Sequence, residues 1–248
     1  TNGGAAWHAT GLTWAVTNGR VISRLLINPV NPNTIHAASS NGIYRSINAG
    51  ATWTQIAGTN GINMKDIEYR PGDKTTVYAC YTTRFYKSTN GGLNWSLIIN
   101  GQSSVNYFGQ FAFTVENSTP ANPDSTRIAV FFTQSSSSNL LNATLNFFSV
   151  RSDGSAPTSA LVSTPASGNK FFNPTVVSNG EYESSNTEFG AVVGEYDNTT
   201  ELSVSLRFAK TTNWGQSFTT VSLVDPGYPT FSDYFPSASF KLGSTDSV

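Results

Sequence analysis

Ser46-Ile-Asn-Ala-Gly-Ala-Thr-Trp53 is matched 42 residues later by Ser88-Thr-Asn-Gly-Gly-Leu-Asn-Trp95, and the match extends without a gap, so that residues 17–58 lie over residues 59–100. Twelve of the 42 pairs are identical, among them Gly19/Gly61, Pro29/Pro71, Ala37/Ala79, Tyr44/Tyr86, Ser46/Ser88, Asn48/Asn90, Gly50/Gly92 and Trp53/Trp95. Chance does not place so many Gly, Pro and Trp in one register. A period of this length is that of one four-stranded propeller blade.

Each unit reads as four strands. Residues 21–27 and 64–69 form the first, stopped at Pro29 and Pro71, because proline cannot donate to a ladder. Residues 35–39 and 77–81 form the second, 43–46 and 85–88 the third, and 53–56 and 95–99 the fourth. Between third and fourth strands the chain must reverse within a few residues. Gly50 or Gly92 supplies the positive φ, Asn48 or Asn90 hydrogen-bonds its own backbone, and the hydroxyl of Ser46 or Ser88 satisfies a nearby group. The indole of Trp53 or Trp95 then covers the hairpin base.

Looser copies flank this pair. Asn2-Gly-Gly-Ala-Ala-Trp7 repeats the turn, as does Thr211-Thr-Asn-Trp-Gly-Gln-Ser-Phe218, in which Asn213, Gly215 and Phe218 take the equivalent places; a degenerate copy is Arg151-Ser-Asp-Gly154. From Asn2 through Asn48, Asn90 and Asp153 to Asn213 the spacings are 46, 42, 63 and 60. The predicted organisation is therefore a partial blade at 1–16, blades at 17–58 and 59–100, enlarged blades at 101–165 and 166–225, and the start of another at 226–248. The fold class is all-β, a β-propeller of four-stranded antiparallel blades. As propellers have typically about 4–8 blades, and an unclosed arc exposes sheet edges, we expect an incomplete arc of a six- or seven-bladed ring, completed by further blades or domains of the same protein.

Composition narrows the partners. Charged residues are only 12% of the chain and the net charge is −1, with Lys and Arg scattered. That leaves no basic face for nucleic acid and no basic amphipathic helix for a membrane surface. No stretch approaches the roughly 20 apolar residues that span a bilayer, so direct membrane insertion is not expected. The single Cys80 forms no disulfide within the chain and reads as a buried structural thiol. The tripeptides at Asn142 and Asn198 have the form of glycosylation acceptors.

The pattern Ser-x-Asp-x-Gly-x-Thr-Trp is the Asp-box of bacterial-neuraminidase-type repeats, and this chain resembles that superfamily of β-propellers, which includes sialidases, two-propeller xyloglucanases, sortilin-type receptors and the photosystem II assembly factor. Residues 17–100 look most like the xyloglucanase and sortilin style, and residues 171–224 like the looser sialidase style. The boxes here carry Asn in place of Asp, apart from Asp153. In the family the boxes lie away from the substrate face and serve structure, so the resemblance implies a fold and leaves the chemistry open.

A sialidase would need three arginines around a carboxylate, the first usually in Arg-Ile-Pro. The nearest match, Tyr69-Arg70-Pro71, coincides with Asn28-Pro29 in the repeat and reads as variation at a turn. A xyloglucanase-like hydrolase needs two carboxylates facing one cleft. Asp66 and Glu68, two apart on a first strand, point to one side and replace Arg24 and Leu26 of the preceding unit, so the blade does not require them. They are the candidate catalytic carboxylates, with a polar channel lining as the plainer reading.

Glu181, Glu183, Glu188 and Glu195 form the densest acidic cluster but lack ordered metal-ligand spacing; no metal and no cofactor is expected. His36 aligns with Tyr78 and reads as packed, and His8 stands alone. Tyr107-Phe108, Phe171-Phe172 and the aromatics of 228–235 offer surfaces to a sugar ring or a protein, against the alternative of core packing. The expected function is a non-catalytic extracellular recognition or scaffold module of a larger secreted or surface protein, with a glycan or protein ligand. The alternative is a glycoside hydrolase whose carboxylates are split across blades.

Overall fold

The computed structural model describes residues 5–6, 8–70, 73–81, 84–100, 107–115, 125–178 and 188–223. Sixteen strands make four antiparallel four-stranded sheets, each a simple meander in chain order. The first blade contains β1 (Ile22–Ile27), β2 (Ile35–Ser39), β3 (Gly42–Ser46) and β4 (Thr54–Gln55). The second contains β5 (Asp66–Tyr69), β6 (Val77–Tyr81), β7 (Arg84–Ser88) and β8 (Ser96–Asn100). The third holds β9 (Tyr107–Val115), β10 (Arg127–Ser135), β11 (Thr144–Arg151) and β12 (Thr158–Ser163). The fourth holds β13 (Asn169–Ser178), β14 (Phe189–Asp197), β15 (Ser203–Thr211) and β16 (Thr219–Leu223). This is a β-propeller of four blades, with β1, β5, β9 and β13 innermost.

The repeat in sequence is a repeat in register. Arg24 pairs with Ala38 and Leu25 with Ala37; 42 residues on, Asp66 pairs with Cys80 and Ile67 with Ala79. The enlarged blades keep the meander and lengthen its strands, β9 and β10 each running nine residues. Residues 8–15 contain no strand and lead into a short 3-10 turn at Val16–Asn18; Trp14 packs edge-on against Tyr44.

Side chains alternate across each strand, so every blade has two faces, and three seams join them. Ala38, Ile43 and Ile56 of the first blade meet Met64, Ile67, Val77 and Ala79 of the second. Tyr78, Cys80 and Phe85 of the second meet Phe113, Val115, Ile128, Val130 and Val150 of the third. Ala129, Phe131, Leu145 and Phe147 of the third meet Phe171, Phe189, Ala191, Val193 and Ala209 of the fourth. Each seam thus joins an outgoing face to the incoming face of the next blade. Among the described strands no comparable packing joins β13 back to β1.

Candidate functional site

Three hairpins share one hydrogen-bond pattern. The Ser46 hydroxyl, buried between the arms, donates to Asn48 Oδ1 and accepts from the backbone N–H of Asn48 and Gly50 at 3.2 and 2.8 Å. Asn48 Oδ1 also accepts from Thr52 N–H, and Trp53 Nε1 donates to the Gly50 carbonyl at 3.0 Å. Ser88, Asn90, Gly92, Asn94 and Trp95 repeat every one of these bonds. In the fourth blade Thr211 supplies the hydroxyl to Asn213 and Gly215, Asn213 accepts from Ser217 N–H, and Phe218 packs against Phe131 and Phe147 instead of donating. At Gly50, Gly92 and Gly215 φ is 90°, 81° and 87°, as the turn required.

The degenerate copy is a different turn. Asp153 accepts from the N–H and the hydroxyl of Ser155, and Arg151 N–H closes the loop on the Ser155 carbonyl. Asn2 and Trp7 lie outside the described residues.

These hairpins are docking points for the preceding blade. His36 on β2 crosses the first seam to the second hairpin, its Nε2 lying 3.1 Å from the Gly91 carbonyl. Its Nδ1 faces the Tyr69 hydroxyl at 3.4 Å, and Asn28 Nδ2 donates to that same oxygen. Loss of solvent, then the nearby Arg45 charge, lower the imidazole pKa to about 4, against a smaller opposing effect of the Gly91 carbonyl. The ring is therefore neutral near pH 7, with the Nε2 proton on Gly91. Tyr78, its repeat partner, spans the next seam to Ser152 Oγ at 2.8 Å, beside the degenerate turn.

Asp66 and Glu68 point to the outgoing side of β5. Asp66 accepts from the backbone N–H of Ile67 and Phe113, and Glu68 from that of Val115, so both carboxylates clasp the innermost strand of the third blade. Arg24 of the first blade completes the cluster, its guanidinium 3.7 Å from Asp66 and 3.3 Å from Glu68. Burial raises both acids, Asp66 to about 6 and Glu68 to about 8, the Asp66 charge adding to the second shift and Arg24 opposing both. One cation serves two acids here, so the pair shares a proton over the neutral range. This is the most perturbed group of acids among the described residues, and it sits where three blades converge.

The other sequence candidates separate. Glu195, 3% exposed, accepts from Ala166 N–H, Asn169, Ser205 and Arg207. Its desolvation is outweighed by those donors, which hold its pKa below the ordinary carboxylate value. Glu188 pairs with Lys210 at 3.0 Å, while Glu181 and Glu183 lie outside the described residues. Arg70 is buried and 3.7 Å from Asp73, as a turn residue would be. Phe171 is wholly buried in the third seam and Phe172 packs on Tyr196, so packing explains this aromatic pair. The side chains of Tyr107 and Phe108 and all of 228–235 lie outside the described residues. Cys80 is fully buried, and its thiol is pushed well up by desolvation and by Asp66. No cluster of His, Cys, Asp or Glu among the described residues has the makings of a metal site, and no helix is long and apolar enough to cross a membrane.

Four meandering sheets, seamed face to face with their innermost strands side by side, define the class as β-propeller. No protein-family model matches the chain, and no curated protein does. Among solved structures it is similar to an ancestral GH74 enzyme, at 14% identity and a TM-score of 0.42 over 81% of this chain and 32% of that one. It is similar also to YCF48 from Cyanidioschyzon merolae, at 11% identity and a TM-score of 0.47 over 84% and 57% of the two chains. A third is the alpha-L-arabinofuranosidase Arb93A from Fusarium graminearum, at 12% identity and a TM-score of 0.49 over 84% and 67%. The chain thus spans about a third of the first of these and just over half of the second.

Proposed function

We propose that this chain is a non-catalytic recognition or scaffold propeller of the Asp-box type, working outside the cell or at its surface within a larger protein. The observation that carries this reading is the fate of Asp66 and Glu68. Both are engaged in holding β9 and Arg24, whereas a glycosidase sets two carboxyl groups about 5–10 Å apart across an open groove. The shared hairpin bonds at Ser46, Ser88 and Thr211 support the Asp-box assignment, since Asn supplies the same acceptor that Asp would. A glycan or a protein segment is the ligand class, consistent with a weakly charged chain rich in Ser, Thr and Asn.

A second reading has one observation in its favour. Glu68, raised to about 8, has the protonation state of a general acid at neutral pH. The two are separated by incubating the protein with xyloglucan, arabinan and sialyllactose and following sugar release. We expect no release above buffer, with retention of the protein on one or more immobilised glycans or peptides. Hydrolysis abolished by Glu68→Gln would overturn the non-catalytic reading.

A further inference from the structure

The third blade has more strand than its neighbour can cover. β10 runs nine residues and β11 eight, against five each for β6 and β7. The two blades are level at the end that carries the box hairpins, where the Tyr78 hydroxyl of β6 bonds Ser152 just past β11. The surplus therefore falls at the opposite end. Along β10 the face turned to the second blade carries Ile128, Val130 and Phe132, all members of the second seam. By alternation Gln134 is next on that face, with Thr144 of β11 paired opposite it. The apolar lining stops, and a polar ledge begins, where the shorter blade ends.

On this ledge the β10–β11 hairpin opens a cleft of about 360 Å³, lined beside Ser135 by Gln134, Ser136, Ser137, Leu141, Asn142 and Thr144. That size falls within the ~300–1,000 Å³ of small-molecule sites. No charged side chain is among these residues, so an ion or a phosphate finds no counter-charge here. The Gln134 amide, the Ser136 hydroxyl and Asn142 Nδ2 make no hydrogen bond within the protein among the described residues. The hairpin around them is held firmly. Ser135 Oγ donates to the Leu141 carbonyl and accepts from Ser137 N–H, while Asn142 exchanges two bonds with Asn198 of the fourth blade. These contacts keep Leu140 and Asn142 in the left-handed region, at φ 56° and 52°. Non-glycine residues persist there only when their surroundings impose it, and such positions cluster at ligand sites.

We infer that this cleft binds one neutral sugar unit of a glycan, through the Gln134 and Asn142 amides and the Ser136 hydroxyl. The inference rests on the recognition reading above and commits it to a glycan and to a place. Sugar hydroxyls both donate and accept, as do amides and serine hydroxyls, so an uncharged lining of this kind satisfies them without an ion pair. Leu141, 39% exposed, offers an apolar patch to the C–H face of the ring.

The test follows side-chain amide signals of the ¹⁵N-labelled protein while methyl galactoside, methyl mannoside, N-acetylglucosamine, lactose and sialyllactose are added. The protein is produced without N-glycans, which keeps Asn142 unmodified. At least one neutral sugar should shift the Gln134 and Asn142 amides in the millimolar range. Gln134→Ala with Ser136→Ala should weaken that binding about tenfold, as two lost hydrogen bonds do, with an unchanged far-ultraviolet spectrum. Ser136→Ile, at an exposed position, blocks the cleft and repeats the test should the double change impair folding. Sialyllactose should bind no more tightly than lactose, since no cation faces its carboxylate. Shifts confined to other residues, binding indifferent to these changes, a preference for sialyllactose, or retention on immobilised peptides with no response to any sugar would each overturn the site. Retention on glycans undiminished in the double variant would remove this site and leave the recognition reading standing. Sugar release by the protein would remove the non-catalytic reading and leave the site, provided that the Gln134 and Asn142 amides still shift.

Discussion

Gly92 leaves room for His36. A Cβ at position 92 would run into the Nε2 edge of the imidazole, which is wholly buried and held on the neighbouring Gly91 carbonyl. The glycine of the second hairpin thus serves the turn and the seam together, whereas a Cβ at Gly91, one residue earlier, would meet nothing within 4 Å.

The two glycines should separate conformational strain from collision. Both have positive φ, 67° and 81°, so alanine costs about 1 kcal/mol at either position for conformation alone. At Gly92 the displaced His36 adds to that, and we expect about 2–3 kcal/mol in all. Urea denaturation of the two variants checks the difference; equal losses would mean that the histidine yields freely.

Asn48 should tolerate Asp far better than Ala. The carboxylate keeps the acceptor used by Ser46 and Thr52 N–H and gives up only the exposed bond from Asn48 Nδ2 to Thr52 Oγ1, a change expected to stay within about 0.5 kcal/mol. Alanine leaves the Ser46 hydroxyl and the Thr52 amide without that acceptor and should cost about 1–2 kcal/mol. Ser46→Ala strips the buried Gly50 N–H of its partner and belongs with the larger loss. Melting temperatures of the three variants, measured together, give the ranking.

Acid pairing at the convergence of three blades sets a pH slope. The folded pKa values of Asp66 and Glu68 are raised, to about 6 and about 8, above ordinary values of 3.8 and 4.5. In between, the folded state holds more protons than the unfolded chain, so stability is full below the ordinary values and is lost as pH rises through 6 and then 8. His36 acts the other way, its lowered pKa removing stability as pH falls from 6.5 towards 4. Glu68→Gln keeps an acceptor for Val115 N–H but has no proton to lose, so denaturation midpoints between pH 6 and 8 should flatten while the acid limb from His36 stays. An unchanged slope above pH 6 would place its origin elsewhere.

The repeat made the blades legible because strand register follows from turn chemistry and alternation, both of which are local. The match between residues 17–58 and 59–100 anticipates the pairing of Arg24 with Ala38 and Asp66 with Cys80, and Gly50, Gly92 and Gly215 have the positive φ their turns demanded. Strand ends moved by a residue or two: β5 begins at Asp66 where the pattern suggested 64, because Met64 N–H turns away to the Ser39 carbonyl of the preceding blade, while Lys65 N–H bonds to Cys80 on β6.

What sequence did not disclose lies across seams. His36 and Tyr78 read as packed strand residues, yet each reaches the hairpin region of the next blade, a contact set by how sheets stack. Asp66 and Glu68 stood out because the preceding unit has Arg24 and Leu26 in their places. The exchange of Arg24 for Asp66 at one repeat position is a sign in the sequence that the two meet. That both acids also clasp the β9 backbone could not be seen, since backbone donors carry no sequence signature.

The three seams are unequal in bulk. The fully buried members of the first include no aromatic, whereas Phe113 and Phe85 fill the second and Phe131, Phe147, Phe171 and Phe189 the third. When each unit touches only its neighbours, cohesion passes along the row as in a linear array, and the smallest contact area marks the place where cooperativity breaks. The tidy repeated units, easiest to recognise in the primary structure, are therefore expected to loosen before the irregular aromatic half.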